Sequence, residues 1–366
     1  IDAIGELDTI SIYGAEYDKN GNAKYKKLWG QRYPHSIGLL YSAFTQSVGL
    51  KPNEEEYIMM GMAAYGHKNI ASIMKMELVH NEWDVLLRAN LHAGFIEPKF
   101  WDKRWEPEDI AASAQALSEN LIYNVMARAN KFNWSTNLVY MGGVALNCTA
   151  NRLLGNYFDD IWIMPNPGDA GSSLGAAALA YGGRINFNTA FLGHCISGPY
   201  PVADLLDELL DNKIVGVASG RAEFGPRSLG NRSLLADPRG HEIKDRVNGI
   251  KRRQMFRPFA PIILEELVHD YFEMPPGWRN SRYMQVVAKC RRPDLFPAIV
   301  HADGTSRVQT VPNDGSGIRK LLEQWLIMTD CPMLLNTSLN IRGEPMVNDR
   351  ADADRFEKLY KVKVCS

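Results

Sequence analysis

The chain has 366 residues, 45% of them hydrophobic and 23% charged, enough for about two globular domains. Its 41 basic and 42 acidic residues give a net charge of −1, which argues against a nonspecific nucleic-acid binder. No apolar run reaches the roughly 18 residues of a membrane span, and no signal peptide is visible.

Residue 1 is Ile, and IDAIGELDTISIYG reads as a strand, a turn and a second strand. A strand under way at the first residue suggests that an upstream portion is absent. Residues 1–30 read as a β-hairpin unit turning at DKNGN. Residues 34–66 are expected to be helical in two pieces, broken at LKPNEEE. Residues 67–110 read as a loop-rich, Trp-containing insertion, and 108–132 as one long helix. TNLVYMGG is a short strand ending in paired glycines, followed by a helix over VALNCTANRLLG. DIWIMPNPGD is a second strand, and AGSSLGAAALAYGG a small-residue helix closed by glycines. Residues 183–205 lack periodicity and read as a linker. Beyond them, strands are expected at KIVGVASG, APIILEE, SRYMQVVAKC, SRVQTV and PMLLNTS. This alternation predicts an α/β fold with ligand sites at the carboxyl ends of strands.

The five cysteines, Cys148, Cys195, Cys290, Cys331 and Cys365, form neither a metal spacing nor a disulfide ladder, pointing to a reducing cytosol. The eight histidines are dispersed, with no pair four residues apart, so no complete metal site is expected.

The stretch GRAEFGPRSLGNRSLLADPR, residues 220–239, sets Arg221, Arg227, Arg232 and Arg239 among glycines. Glycine lets backbone approach a ligand, and arginine grips oxyanions in a two-pronged geometry. Residues 220–260 hold ten Lys or Arg against four Asp or Glu, so positive charge is local and suits a small anion. Three further segments could join it. Lys251, Arg253 and Arg257 lie in KRRQMFRPFAP; His301, Asp303, Thr305 and Arg307 in HADGTSRVQT; Ser338 and Asn340 in LLNTSLNIRGEP. Asn336, Ser338 and Asn340 alternate toward one face of an extended segment, which suits hydrogen bonding to a phosphate or nucleotide. The plainer reading of such cations is surface ion pairing. In the first half, Gly142 and Gly143 either make a simple turn or aim backbone N–H groups at a phosphate. Asp169 is a helix cap or a metal or substrate ligand, and Asp2 and Glu6 carry the same ambiguity.

These segments together resemble the NodU/CmcH O-carbamoyltransferase family. The resemblance rests on IDAIGE, PHSIGLLYSAFT, MGMAAYG, YMGGVALN, NPGDAGSSLGAA, FGPRSLGNRSLLADPR, FRPFAP, HADGTSRVQTV and LLNTSLNIRGEP, in this order along nearly the whole chain. It implies an actin-like (ASKHA-type) domain over 1–190, lacking its N-terminal part, and a YrdC-like α/β domain over 206–366. It further implies that the second domain forms carbamoyl-adenylate from carbamoyl phosphate and ATP. Arg227, Lys251, Arg253, Arg257, His301, Thr305, Arg307, Ser338 and Asn340 would bind these substrates, with Lys251 and Arg257 catalytic. Gly142, Gly143 and Asn147 would cradle the adenylate in the first domain. Asp2 would position or deprotonate the hydroxyl of a small-molecule acceptor, shaped by the 67–110 insertion. Asp169 matches the family's iron(II) ligand, whose histidine partners would lie upstream. Without them, Asp169 is expected to cap the helix beginning at Ala170 or Gly171. A tRNA threonylcarbamoyl-type enzyme and a non-catalytic nucleotide- or anion-binding remnant are the alternatives. Neither nucleic-acid nor membrane partners are expected.

Overall fold

The computed structural model describes residues 1–95 and 104–366. The chain forms two compact units, one of residues 1–186 with 275–278, the other of residues 187–274 with 279–366.

The first unit opens on an antiparallel hairpin, β1 (Asp8–Tyr17) and β2 (Ala23–Arg32). The Asp18 carboxylate organises its turn by accepting from the backbone N–H groups of Asn20 and Asn22. The expected strand over residues 1–6 is absent. The chain turns at Gly5–Asp8, with Glu6 at φ 57°, and the carbonyls of Asp2 and Ala3 accept from the Ser36 hydroxyl rather than from a ladder. Ser36 also caps α1 (Ile37–Ser47), its oxygen accepting from Leu39 N–H at 3.1 Å. Helices α2 (Glu56–Met62) and α3 (Ala71–Leu78) follow. Of the 67–110 stretch, residues 96–103 lie outside the described residues. The rest is more regular than expected, adding a short hairpin of Val79–Asn81 with Leu86–Leu87.

Helix α4 (Pro107–Lys131) is the long helix read from the sequence. Pro107 starts it, acids occupy its first turn, and Arg128 and Lys131 its last, matching the helix dipole. Its buried Ile110, Ala114, Leu117, Leu121 and Val125 recur at helical spacing, and it packs against α1, α2 and α3. Strands β3 (Asn137–Val139) and β4 (Asp160–Trp162) pair in parallel. Between them the expected single helix is instead a broken series of short turns. Asn147 restarts it by capping Cys148–Asn151. Helix α5 (Ser172–Tyr181) ends at Gly182, which takes the left-handed conformation, φ 73°.

The second unit begins inside the segment read as a linker. Residues 191–196 form β5, paired with β7 (Gly220–Glu223), and α6 spans Val202–Asn212. Short runs broken by Gly and Pro hid both from a periodicity search. The main sheet comprises β6 (Ile214–Ala218), β8 (Arg232–Ala236), β9 (Ala260–Leu264), β13 (Gln309–Val311), β14 (Met333–Ser338) and β15 (Val364–Cys365). Their order is β13-β9-β14-β8-β6-β15. The outer pairs are parallel and the inner ones antiparallel. Every residue of β6, β8 and β9 is buried. Helix α7 (His241–Ile250) follows β8. A smaller antiparallel sheet joins β10 (Phe272–Glu273), β11 (Val287–Cys290) and β12 (Thr305–Arg307). SRVQTV is thus two strands in two sheets, with Val308 between them. Helices α8 (Gly317–Thr329) and α9 (Arg350–Tyr360) complete the unit, with α8 burying Trp325.

Arg232 sits at the centre of the arginine-rich stretch and is fully buried. Its guanidinium donates to the backbone carbonyls of His194, Ser219, Gly220, Asn231 and Asn348, so it ties four segments of the unit together. Replacing it with Met removes a donor from each of those carbonyls, of which Asn231 keeps the Ser219 N–H. Arg232→Met should lower stability by about 3–5 kcal/mol, the range for breaking buried charged networks. Urea denaturation should show this; a loss under about 1 kcal/mol would mean the carbonyls find other partners.

Candidate anion site in the second unit

Helix α7 carries Lys244 and Asn248 on one face, and Lys251 just beyond its end continues that face, at i, i+4 and i+7. Lys251 is 4% exposed. Its ammonium donates toward four neutral oxygens: the carbonyls of Ser338 (2.5 Å) and Asn340 (2.9 Å), Ser338 Oγ (3.2 Å) and Asn340 Oδ1 (3.0 Å). Ser338 Oγ in turn donates to Asn340 Oδ1 at 2.7 Å, and Asn340 Nδ2 donates to the carbonyl of Glu344. From the other side, Arg342 N–H donates to the Lys251 carbonyl. The lysine is a clasp that fixes the turn after β14.

Burial pushes the Lys251 amine well below its ordinary pKa, and the charges of Arg253 and Arg257 push it further the same way. Asn248, also fully buried, shapes the loop that holds these two arginines. Its Nδ2 donates to the carbonyls of Met255 and Arg257, and its Oδ1 accepts from Arg253 Nε at 2.7 Å. The Arg253 guanidinium also lies 4.4 Å over the ring of Phe259. The structure therefore gathers Lys251, Arg253, Arg257, Ser338 and Asn340 into one group. Sequence reasoning missed Asn248, because its spacing to Lys251 becomes a signal only once 241–250 is known to be helical.

A second group forms at the turn before β12. His301 N–H donates to the carbonyl of Thr305 at 2.8 Å, and Asp303 Oδ1 accepts from both the N–H and the hydroxyl of Thr305. Thr305 thus braces the turn. Burial lowers the His301 pKa to about 4, opposed by Asp303 and aided by the charges of Lys244 and Arg307.

Arg227 belongs to a third segment, the loop from Gly225 to Gly230. Glu223 Oε1 holds this loop, accepting from the N–H groups of Leu229, Asn231 and Arg232. The remaining arginines of the stretch are engaged elsewhere. Arg239 pairs with Asp237 at 2.9 Å and Arg221 donates to the carbonyl of Gly193, so with Arg232 they are structural rather than ligand-gripping.

Residues 1–178 match the model of the carbamoyltransferase N-terminus, and residues 206–365 that of the carbamoyltransferase C-terminus. An uncharacterized protein of Synechocystis sp. is 35% identical over 431 aligned residues, covering 97% of this chain and 69% of that protein. The chain belongs to the carbamoyltransferase family. Nodulation protein NolO of Bradyrhizobium diazoefficiens is 33% identical, covering 87% of this chain and 65% of its own. Nodulation protein U of Azorhizobium caulinodans is 37% identical, covering 69% and 49%. The chain thus spans between 49% and 69% of the length of these relatives.

In the carbamoyltransferase N-terminal unit, the paired glycines lie where the sequence put them, past the end of β3. Gly142 has φ 95°, and a Cβ there would meet the Ile1 carbonyl oxygen at 2.0 Å. Its N–H donates to the carbonyl of Pro167, and Gly143 N–H to Asp2 Oδ1 at 3.2 Å. Asp2 and Gly143 are therefore adjacent. Asn147 caps a short helix through Ala150 N–H and exchanges two amide hydrogen bonds with Gln115. Gln115 extends this network to Tyr41 and Glu119, and Arg152 pairs with Glu119.

Asp169 is exposed and begins a single tight turn, and α5 starts at Ser172 with no side-chain cap. The expected cap by Asp169 is thus not made, because the intervening turn moves the helix start to Ser172. Among the described residues no three His, Cys, Asp or Glu side chains converge as metal ligands. This donor set does not fit an iron(II) site.

The His301 shift sets a pH dependence. Its folded pKa, about 4, lies below the ordinary 6.5, so between these values the unfolded chain holds a proton that the folded one lacks. Stability should rise with pH across this window, and the slope should flatten in His301→Gln. Denaturation midpoints at several pH values test this; an unchanged slope in the variant would show that His301 is not held neutral.

Proposed function

We propose that this chain carries out, or supplies part of, O-carbamoyl transfer, its second unit binding carbamoyl phosphate and ATP. The observation that supports this reading best is the buried Lys251 group. A cation surrounded by neutral oxygens and pressed by two arginines is electrostatically incomplete, and an anion would complete it. Ordinary structural lysines are exposed or paired with a carboxylate.

In this reading, carbamoyl phosphate is first hydrolysed to carbamate and phosphate. A carbamate oxygen then bonds to the α-phosphorus of ATP as the bond to pyrophosphate breaks, giving carbamoyl-adenylate. Carbamate is short-lived, so forming it beside ATP in a water-poor site matters more than lowering any single barrier. Lys251, Arg253 and Arg257 stabilise charge as it moves onto pyrophosphate. Ser338 and Asn340, held rigid by Lys251, present polar groups at fixed positions. His301, Arg307 and Arg227 hold the remaining phosphate oxygens, with Thr305 bracing His301. In the first unit, the Gly142–Gly143 turn and Asn147 receive the adenylate, and Asp2 orients an acceptor hydroxyl that attacks the carbamoyl carbon and releases AMP. The actin-like and YrdC-like folds belong to the same reading.

Exchange of labelled pyrophosphate into ATP, dependent on carbamoyl phosphate, reports adenylate formation without an acceptor. The full chain should catalyse it, and the Ser338→Ala, Asn340→Ala double variant should lose it. Exchange at the wild-type rate in that variant would remove the β14 turn from the site. Arg257→Ala should weaken carbamoyl phosphate binding roughly 10- to 150-fold, the equivalent of about 1.5–3 kcal/mol for a charge-assisted contact. Calorimetry reads this directly. Binding without exchange in the wild type would instead favour an anion-binding module.

A further inference from the structure

Strand β14 carries, on the same face as Ser338 and about 7 Å before it, a side chain that the proposed chemistry has not used. Asn336 is 1% exposed. Its Nδ2 donates to the Ser228 carbonyl at 3.0 Å and to Gln309 Oε1 at 2.7 Å. Gln309, also buried, is itself oriented because its Nε2 donates to the carbonyl of Leu229 at 3.0 Å. Both Asn336 donors therefore have acceptors, and turning the amide over would set oxygen against oxygen at each. The orientation is fixed, and it leaves Asn336 Oδ1 buried with no hydrogen-bond partner.

An unsatisfied buried carbonyl oxygen costs about 1–3 kcal/mol, and native proteins keep few of them. An acceptor repels an unprotonated phosphate oxygen, which would bring two partial negative charges together. It calls for an N–H or O–H donor. The sequence suggested that Asn336 hydrogen-bonds a phosphate or nucleotide; in the structure its donors are engaged and only its acceptor is open.

We propose that Asn336 is a specificity-determining residue whose Oδ1 accepts a hydrogen bond from the –NH2 group of carbamoyl phosphate. This rests on the reading that the second unit binds that substrate. Carbamoyl phosphate is anionic at one end and an amide donor at the other. The Lys251 group suits the phosphate end, and Asn336 suits the amide end. Ser228, whose carbonyl accepts from Asn336 Nδ2, follows Arg227 directly, so the loop that orients the amide also carries a phosphate-binding candidate. That loop is bounded by Gly225 and Gly230, with φ 145° and 123°, and it must shift for the ligand to reach Oδ1. The shift must spare Ser228 and Leu229, whose carbonyls orient Asn336 and Gln309, so it falls on Gly225–Arg227. The consequence is discrimination against acetyl phosphate, which has a methyl group where carbamoyl phosphate has –NH2. A site built around an acceptor rejects the analogue that cannot donate.

Calorimetric titration of the full chain with carbamoyl phosphate, acetyl phosphate and inorganic phosphate tests this. The wild type should bind carbamoyl phosphate at least about tenfold more tightly than acetyl phosphate. In Asn336→Ser the two should agree within about threefold, with inorganic phosphate affinity unchanged. If that variant does not fold, Gln309→Met releases the amide orientation without removing Asn336, and the preference should fall there too. A merely structural role would weaken all three ligands together. Retention of the full preference in a folded variant, or equal wild-type binding of the two acyl phosphates, would overturn the assignment to Asn336 while leaving the anion site standing. A wild type that binds none of the three would overturn the carbamoyl phosphate reading itself.

Discussion

The second unit is organised around a buried ammonium that lacks a counter-ion among its hydrogen-bond partners. Lys251 has three protons and four neutral oxygens around it, all from Ser338 and Asn340. Removing a cation from water without an anionic partner is costly, and neutral dipoles offset only part of that cost. Two arginines held nearby by Asn248 raise it further. The arrangement is tolerable because α7, the 251–257 loop and the β14 turn are each fixed by bonds of their own. On the proposed reading, it provides a preorganised positive potential that needs little rearrangement when an anion arrives.

The same economy explains which arginines of the 220–239 stretch are not available for ligands. Arg232 satisfies carbonyls from four segments, and Arg239 closes onto Asp237. A guanidinium that organises backbone in this way positions the loops around it but does not itself meet a substrate. Positive charge in the sequence therefore overstates the charge offered to a ligand, and the division between the two roles follows from burial and from which acceptors lie in reach.

Much of this was legible beforehand, for identifiable reasons. The hairpin at DKNGN, the long helix at 107–131 and the strands APIIL and MLLNTS carry strong local patterns, and each formed. The cluster of Lys251 with Ser338 and Asn340 followed from the family resemblance, since 87 residues separate the lysine from the serine and no local pattern links them. What escaped was set by tertiary context. β5 lies in a segment with no periodicity, and its pairing with β7 alone makes it a strand. Asn248 and Gln309 act on backbone, amide and guanidinium groups brought to them by the fold. Asp169 has the composition of a cap, yet an added turn moves the helix start beyond its reach.

Whether the Lys251 group takes an anion is read most directly from carbamoyl phosphate binding to the full chain and to its Lys251→Met variant, by calorimetry at several salt concentrations. The wild type should bind, with affinity falling as salt rises, and the folded variant should bind at least about tenfold more weakly. Unchanged affinity in the folded variant, or no binding by the wild type, would contradict a role for Lys251 in holding the anion.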